Sequence, residues 1–300
     1  MPELCEVVLT SQYLLTKLKN KFFINIKVIS GKYKRNKLLG INYLINKKNK
    51  ITNIDTKGKF MWFELKDDNN DNIYILNWFG MTGEWSFEES NSARIMFTLS
   101  DNTKLYFIDQ RNFGILQITK DRKILDDKLN TLAPDLLKSN FTIDDFHNWF
   151  SDYLIKFPKR KNMKILNLLL KQDIDDGIAS GIGNYLSSEI LYRAKISPHK
   201  LIGDLTNKEI DKLAKTIKIV VKMCYLTNKT GYMELFDDFI DDHMQKVKLG
   251  VFPNYHPDIP INNIPEFKFL VYKLKEDKYG NKIIAEHIVP LRTTYWVNFD

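Results

Sequence analysis

Cysteine is almost missing from this chain: 300 residues contain only Cys5 and Cys224. They are too few and too far apart for a disulfide framework or a four-thiolate zinc site, which excludes the small, stapled secreted scaffolds and points to a reducing, intracellular compartment. Long apolar runs are missing too. Stretches such as Ile165 to Leu170, itself broken by Asn167, fall far short of the roughly 20 residues that span a bilayer, and no basic-then-apolar leader opens the chain. A soluble, non-secreted protein without membrane contact is expected. The five histidines are scattered without ligand spacing, so no metal site is expected from them.

What is present is core-forming material and positive charge. At 44% hydrophobic residues the chain can fold as two medium domains, each burying its own core. Net charge is +8 and the isoelectric point near 9.1, which favours a polyanionic partner such as nucleic acid.

Leu4, Val7, Val8, Leu15 and Leu18 recur at helical spacing, with Lys17 and Lys19 beyond, predicting an amphipathic first helix. From about residue 24 to 120 short β runs alternate with polar turns, among them Phe60 to Leu65, Ile73 to Phe79, Arg94 to Leu99 and Lys104 to Asp109. That is the pattern of an antiparallel β domain. Residues 131 to 145 break it with proline and polar residues and are read as an interdomain linker. Helical periodicity follows to about residue 250, with stripes in 163–170, 185–194 and 209–226. After a Pro/Asn-rich stretch, 252–265, the runs Phe267 to Lys275 and Ile283 to Val297 are expected to pair as a hairpin turned at Tyr279-Gly280-Asn281.

Chemistry is concentrated in a few short segments. Once Met1 is removed, Pro2 of Met-Pro-Glu-Leu-Cys-Glu-Val carries a secondary amine with a reference pKa of about 8, and a helix N-terminus beside it lowers that value. Such an amine can attack a sugar anomeric carbon and hold it as an iminium, with the Glu3 carboxylate placed to move protons. Further along stand Thr56-Lys57-Gly58-Lys59-Phe60, Trp78-Phe79-Gly80-Met81-Thr82-Gly83, Asp109-Gln110-Arg111-Asn112-Phe113-Gly114, Ser180-Gly181-Ile182-Gly183-Asn184-Tyr185-Leu186 and Pro290-Leu291-Arg292-Thr293-Thr294-Tyr295-Trp296. The Gly181-Ile182-Gly183-Asn184 turn is no dinucleotide fingerprint. Acidic Asp173, Asp175 and Asp176 stand where a buried strand is required, and Leu186 stands at the third glycine. It is a glycine-rich turn feeding a helix, a place where backbone N–H groups bind phosphate.

In this order, over nearly the whole chain, these segments resemble the formamidopyrimidine-DNA glycosylase and endonuclease VIII family. The resemblance implies an α+β fold: an N-terminal helix with an antiparallel β-sandwich domain (1–132), a helical domain with a helix-two-turns-helix motif (133–262), and a β-hairpin finger (263–300). It implies Pro2 as nucleophile, Glu3 as proton shuttle, Lys59 as a catalytic-site cation and Glu6 as a supporting carboxylate. Met81, Arg111 and Phe113 match the residues that fill the void left by an everted base. Asn184 and Arg292 match phosphate ligands, and Lys164 is a stand-in for a phosphate-binding lysine that a loop about four residues longer than usual displaces. By the same resemblance duplex DNA with oxidised bases or abasic sites lies across the cleft between the two domains, with single-stranded or bubble DNA as a further partner. A monomer without cofactor is expected.

The sequence departs from the family in places. Gln110 and Asn112 replace a proline and an arginine. No cysteine follows Cys224, so a thiolate zinc finger is impossible, and the C-terminus resembles the zincless finger of animal and giant-virus endonuclease VIII-like enzymes, with Tyr295 and Trp296 packing in place of metal. The expected activity is that of a bifunctional DNA glycosylase and abasic-site lyase of base excision repair, working by β,δ-elimination. The finger favours oxidised pyrimidines and hydantoins; the Pro-Glu-Leu start favours 8-oxoguanine and formamidopyrimidines. A non-catalytic damaged-DNA binder that keeps the scaffold is the rival from another class, and a nucleotide-dependent enzyme finds little support.

Overall fold

Pro2 to Gln12 are all buried, so helix α1 (Leu4–Leu18) is enclosed on every side through its first turns. The predicted amphipathic character is confined to its end, where Thr16 and Lys17 reach solvent. The computed structural model describes residues 2–227, 237–252 and 264–299. The chain divides into two units, Met1–Asn130 and Thr131–Asp300.

The first unit joins α1 to strands β1 (Phe22–Val28), β2 (Asn49–Lys57), β3 (Phe60–Lys66), β4 (Asn72–Trp78), β5 (Gly83–Ser86), β6 (Ala93–Leu99), β7 (Lys104–Asp109) and β8 (Ile115–Thr119). They form one antiparallel eight-stranded sheet in the order β5-β7-β6-β1-β2-β3-β4-β8. Register shifts at Phe23/Asn25, Ile51/Asn53 and Ala93/Ile95 add local twist, and the sheet closes over on itself. Trp85 on edge strand β5 shows this: its ring lies 5.0 Å from Phe63 on β3, five places away in the sheet. It also lies 5.5 Å from Phe97 and 5.3 Å from Phe107, and its indole N–H donates to Asn77 Oδ1 on β4 at 2.9 Å. One continuous sheet therefore makes both layers of a sandwich, around a core that runs from Val7 and Leu14 of α1 to Ile118 of β8.

Helix α2 (Arg122–Thr131) follows and was not apparent in the sequence, because Leu125 is its only buried residue and one apolar position makes no stripe. The segment after it is a packed element rather than a loose linker. Leu132, Ala133, Leu136 and Leu137 are buried, and the backbone bridges Leu132 to Asp173 and Asp135 to Ser180.

The second unit contains α3 (Ile143–Lys156), α4 (Ile165–Leu169), α5 (Asn184–Ala194), α6 (Asn207–Thr227), α7 (Asp237–Lys248) and a two-stranded sheet of β9 (Ile284–Val289) and β10 (Arg292–Trp296). Thr142 caps α3 reciprocally with Asp145: the Asp145 N–H donates to Thr142 Oγ1 at 3.0 Å and the Thr142 N–H to Asp145 Oδ2 at 2.7 Å. Gln172 ties α4 to the turn before α5. Its Oε1 accepts from the Gly181 N–H at 2.8 Å and its Nε2 donates to Ile182 O at 2.9 Å.

The hairpin differs from expectation. Phe267–Lys275 is not a strand, and β9 pairs with β10 across a turn at Pro290-Leu291. Tyr279-Gly280-Asn281 sits in a separate tight turn bracketed by the bridge Glu276–Lys282. The reason is a competing set of acceptors. The buried Glu189 carboxylate takes the backbone N–H groups of Leu270, Val271 and Tyr272, each at 3.0 Å or less, so that backbone is satisfied without a strand partner. The Pro/Asn-rich stretch of the sequence lies mostly outside the described residues.

Candidate active site and its supporting contacts

At the head of the first unit, Pro2 is buried and Glu3 and Glu6 are 1% and 3% exposed. The Glu3 N–H donates to Glu6 Oε2 at 2.9 Å, so Glu6 fixes the backbone beside Pro2 at the positive end of α1. Two buried carboxylates flanking a buried terminal segment are a costly arrangement for a helix cap alone, since capping works equally well at the surface.

Lys59 stands in the two-residue turn between β2 and β3, made possible by Gly58 at φ +57°. Its neighbour Lys57 points elsewhere, donating to Leu129 O at 2.7 Å. Of the two lysines in Lys57-Gly58-Lys59, Lys57 therefore holds the end of α2.

Met81, Arg111 and Phe113 are brought together on two loops that are locked to each other. Asp109, 1% exposed, accepts from Thr82 Oγ1 at 2.5 Å and from the Gly114 N–H at 2.6 Å. Thr82 Oγ1 in turn accepts from the Arg111 N–H at 3.0 Å. Gly80 has φ +63°, and a Cβ there would lie 2.7 Å from Gly114 N, so the loops approach too closely for any side chain. Arg94 braces the second loop by donating to Asp109 O at 2.7 Å, Gln110 O at 3.2 Å and Ser30 Oγ at 2.7 Å. On this frame the Arg111 guanidinium stacks 5.1 Å from the Phe113 ring. Met81 and Phe113 are left 38% and 54% exposed, although both are apolar and sit beside a well-packed core. The departure at Asn112 also finds a use. With φ +58° it occupies a backbone region that asparagine tolerates, and its Oδ1 accepts from the Lys32 N–H at 3.3 Å. Asp109 and Thr82 lie inside the short ordered segments of the sequence and Arg94 opens a β run, but nothing local marks any of the three as a brace.

In the second unit, Asn184 is the first residue of α5, whose N-cap is Gly183. Its side chain does not cap the helix. It donates through Nδ2 to Thr293 O at 2.7 Å, and its buried Oδ1 has no hydrogen-bond partner within the described residues. Asn184 is thus joined directly to the hairpin, one residue from Arg292. Tyr295 N–H donates to Ser188 Oγ at 3.3 Å, a second link between α5 and β10. Lys164, at the start of α4, acts electrostatically on Glu286 of β9.

The finger is assembled by carboxylates and a small apolar cluster. Tyr192, Val271, Ile283 and Val297 form that cluster, with Leu270 and Tyr295 against it. Asp277 Oδ1 accepts from the Tyr279 and Asn281 N–H groups, each at 2.9 Å, and Oδ2 from Tyr192 OH at 2.9 Å. Burial pushes its pKa up, but the hydrogen bonds, first those from Asn281, outweigh it and hold the group at about 2. Trp296 Nε1 donates to Glu286 at 3.2 Å, and the His199 ring bonds the same carboxylate oxygen at 2.8 Å. Among the described residues no group of three or more His, Cys, Asp or Glu is arranged to hold a metal ion, and no helix is long and apolar enough to cross a membrane.

A sandwich headed by a buried Pro-Glu start, with exposed Met, Arg and Phe on paired loops and a separate helix-turn-hairpin unit, is the architecture of a DNA-repair glycosylase. Three family models match in sequence: the formamidopyrimidine-DNA glycosylase N-terminal domain over residues 1–116, its H2TH domain over 132–234 and its C-terminal domain over 257–299. The chain belongs to the formamidopyrimidine-DNA glycosylase family. It is 33% identical over 224 residues to the formamidopyrimidine-DNA glycosylase of Wolbachia sp. subsp. Brugia malayi (strain TRS), covering 73% of this chain and 76% of that one. The corresponding enzyme of Mycoplasma genitalium is 31% identical over 243 residues, covering 77% and 78%. The fold is similar to that of the MutM (Fpg) protein of Thermus thermophilus, with a TM-score of 0.70 at 21% identity over 98% of this chain and 97% of that one. It is likewise similar to Lactococcus lactis Fpg solved with DNA containing an oxidised pyrimidine, with a TM-score of 0.67 at 21% identity over 99% and 98%.

Proposed function

We propose that this DNA glycosylase excises oxidised bases with the secondary amine of Pro2 and then cuts the strand as a lyase. The observation that carries the reading is the buried Pro2-Glu3 start with Glu6 bonded to its backbone, in a chain of this family. Pro2 nitrogen forms a bond to C1′ as the glycosidic bond breaks, and the base leaves with the bonding pair and a proton. The nitrogen lone pair, freed by loss of the N–H proton, then breaks the C1′–O4′ bond as O4′ takes up a proton. The iminium so formed withdraws electrons from C2′, so that loss of a C2′ proton expels the 3′ phosphate and a second elimination expels the 5′ phosphate. Glu3 moves the protons at the sugar, and Glu6 holds it in place. Lys59 supplies positive charge at the target phosphate or sugar.

Met81, Arg111 and Phe113 enter the duplex where the base has left, with the two apolar side chains stacking and the Arg donating to the orphaned partner. The rigid frame of Asp109, Thr82 and Arg94 supports this role, because a wedge must hold its shape while stacked bases push back. Asn184, through the second N–H of its amide, and Arg292 hold backbone phosphate. Abasic-site DNA and duplexes with oxidised bases are the partners.

For lesion choice the metal-free finger favours oxidised pyrimidines and hydantoins. A second reading, formamidopyrimidines and 8-oxoguanine, is favoured by the names of the relatives. Incubation with a panel of defined lesions and borohydride distinguishes them. A trapped complex whose mass maps the sugar to Pro2 supports the mechanism, and attachment to a lysine refutes it. The lesion that traps fastest decides between the two readings, and binding without any adduct establishes the non-catalytic rival.

A further inference from the structure

The turn joining β9 to β10 is built from Pro290 and Leu291, and Leu291 has φ +63°. Proline followed by a residue of positive φ is the arrangement of a type II turn, whose second central position favours glycine or asparagine. Elsewhere this chain follows that preference. Five of the eight described non-glycine residues with positive φ are asparagine, two are lysine, and Leu291 is the one apolar member. It is also the most exposed of the large apolar side chains among the described residues, at 97%. Leucine at this position therefore carries backbone strain and full exposure at once, with no packing inside the chain to offset either.

The turn is nevertheless held rigidly. Thr294 is 1% exposed, Asn184 bonds Thr293 O, and Ser188 accepts from the Tyr295 N–H. The next residue is Arg292. We infer that Leu291 is an apolar wedge that presses into the minor groove of the DNA beside the phosphate gripped by Arg292, so that Leu291 and Arg292 act as one apolar-plus-cationic fingertip. Small apolar side chains on rigid projections commonly seat in this way against sugar edges and base steps. The strain belongs to the free protein and is compensated on binding. The inference rests on the phosphate-binding reading of Arg292.

The test uses the full chain and a duplex bearing a tetrahydrofuran abasic analogue, with affinity measured across salt concentrations and thermal stability measured in parallel. Leu291→Asn keeps a residue that tolerates the backbone and removes the apolar contact. It is expected to weaken binding about tenfold, equivalent to about 1.4 kcal/mol, with the salt slope unchanged and Tm unchanged or raised. Leu291→Met is expected to bind within about twofold of the parent, since the contact is apolar rather than shape-specific. Unchanged affinity in Leu291→Asn overturns the wedge, as does a fall in its Tm, which would make Leu291 a structural residue. Met binding as weakly as Asn also overturns it. Arg292→Ala separates the two ideas, because a reduced salt slope there alongside an unaffected Leu291→Asn leaves the phosphate grip standing and removes only the wedge. An unchanged slope in Arg292→Ala, with Leu291→Asn still weakened, removes the grip and leaves an apolar contact alone.

Discussion

The first unit and the finger of the second hold their candidate functional side chains in place by different means. In the first unit a sandwich with a continuous apolar core fixes the loops, and a handful of hydrogen bonds around Asp109 then aligns Met81, Arg111 and Phe113. The finger has a cluster of only Tyr192, Val271, Ile283 and Val297 with two flanking side chains, too small to organise a loop-rich segment by burial alone. Buried carboxylates take over. Glu189, 0% exposed, gathers the N–H groups of residues 270 to 272 and pairs with Arg193, and Asp277 shapes the 277–281 turn. Side chains that accept several backbone donors thus order this segment, and Asp277, held at about 2, makes its turn sensitive to acid.

The largest effect should come from the first unit's chemistry. Glu3→Gln preserves shape but removes the proposed proton shuttle, and single-turnover base excision should fall by about 10²- to 10⁴-fold with an unchanged melting curve. Next is Glu189→Ala, which strands Arg193 and the backbone donors in a buried site. We expect a loss of about 3–5 kcal/mol in urea unfolding, and a cost below about 1 kcal/mol would show that the finger does not lean on this carboxylate. Arg94→Ala should be milder, about 1.5–3 kcal/mol for the lost charged hydrogen bonds, and should slow excision from duplex more than from single-stranded substrate because the loop proposed to fill the void is loosened. Equal slowing on both would separate Arg94 from that loop's function.

The smallest and most local effect is one of pH. Asp277 is depressed to about 2 from an ordinary 3.8, so its stabilising contribution is complete above pH 3.8 and fades as pH falls through 2. Near-ultraviolet dichroism from the finger should therefore be lost between about pH 4 and 2, and Asp277→Asn should flatten that transition. Asp101 of the first unit is also held at about 2, by Thr103 first and then Lys21, but it sits in an exposed turn and its protonation should leave the sandwich intact.

Much of this was legible in the chain itself. Short β-forming runs between polar turns marked β3, β4, β6 and β7, and helical spacing marked α1, α5 and α6, since that spacing follows from burying one face. The expected pairing of 267–275 with 283–297 failed because the backbone of its first run finds Glu189, a residue some 80 positions earlier, and no local pattern reports such a donor–acceptor match. Candidate site residues in short ordered segments, such as Pro2, Lys59 and Arg292, could be named because those segments, in their order, resemble the family's. Arg94 and Glu189 could not, because each is an ordinary charged residue on a strand or helix until the fold sets it against its partners.

By itself the sequence determined most of the element types and that no thiolate finger can form after Cys224, both of which depend on local propensity and side-chain chemistry. Only the tertiary structure decided that Lys57 braces α2, that Asn184 reaches the hairpin instead of capping its helix, and that Leu291 stands strained and bare at a tip. Those outcomes depend on which distant backbone groups need partners, and a chain meets that requirement only once it is folded.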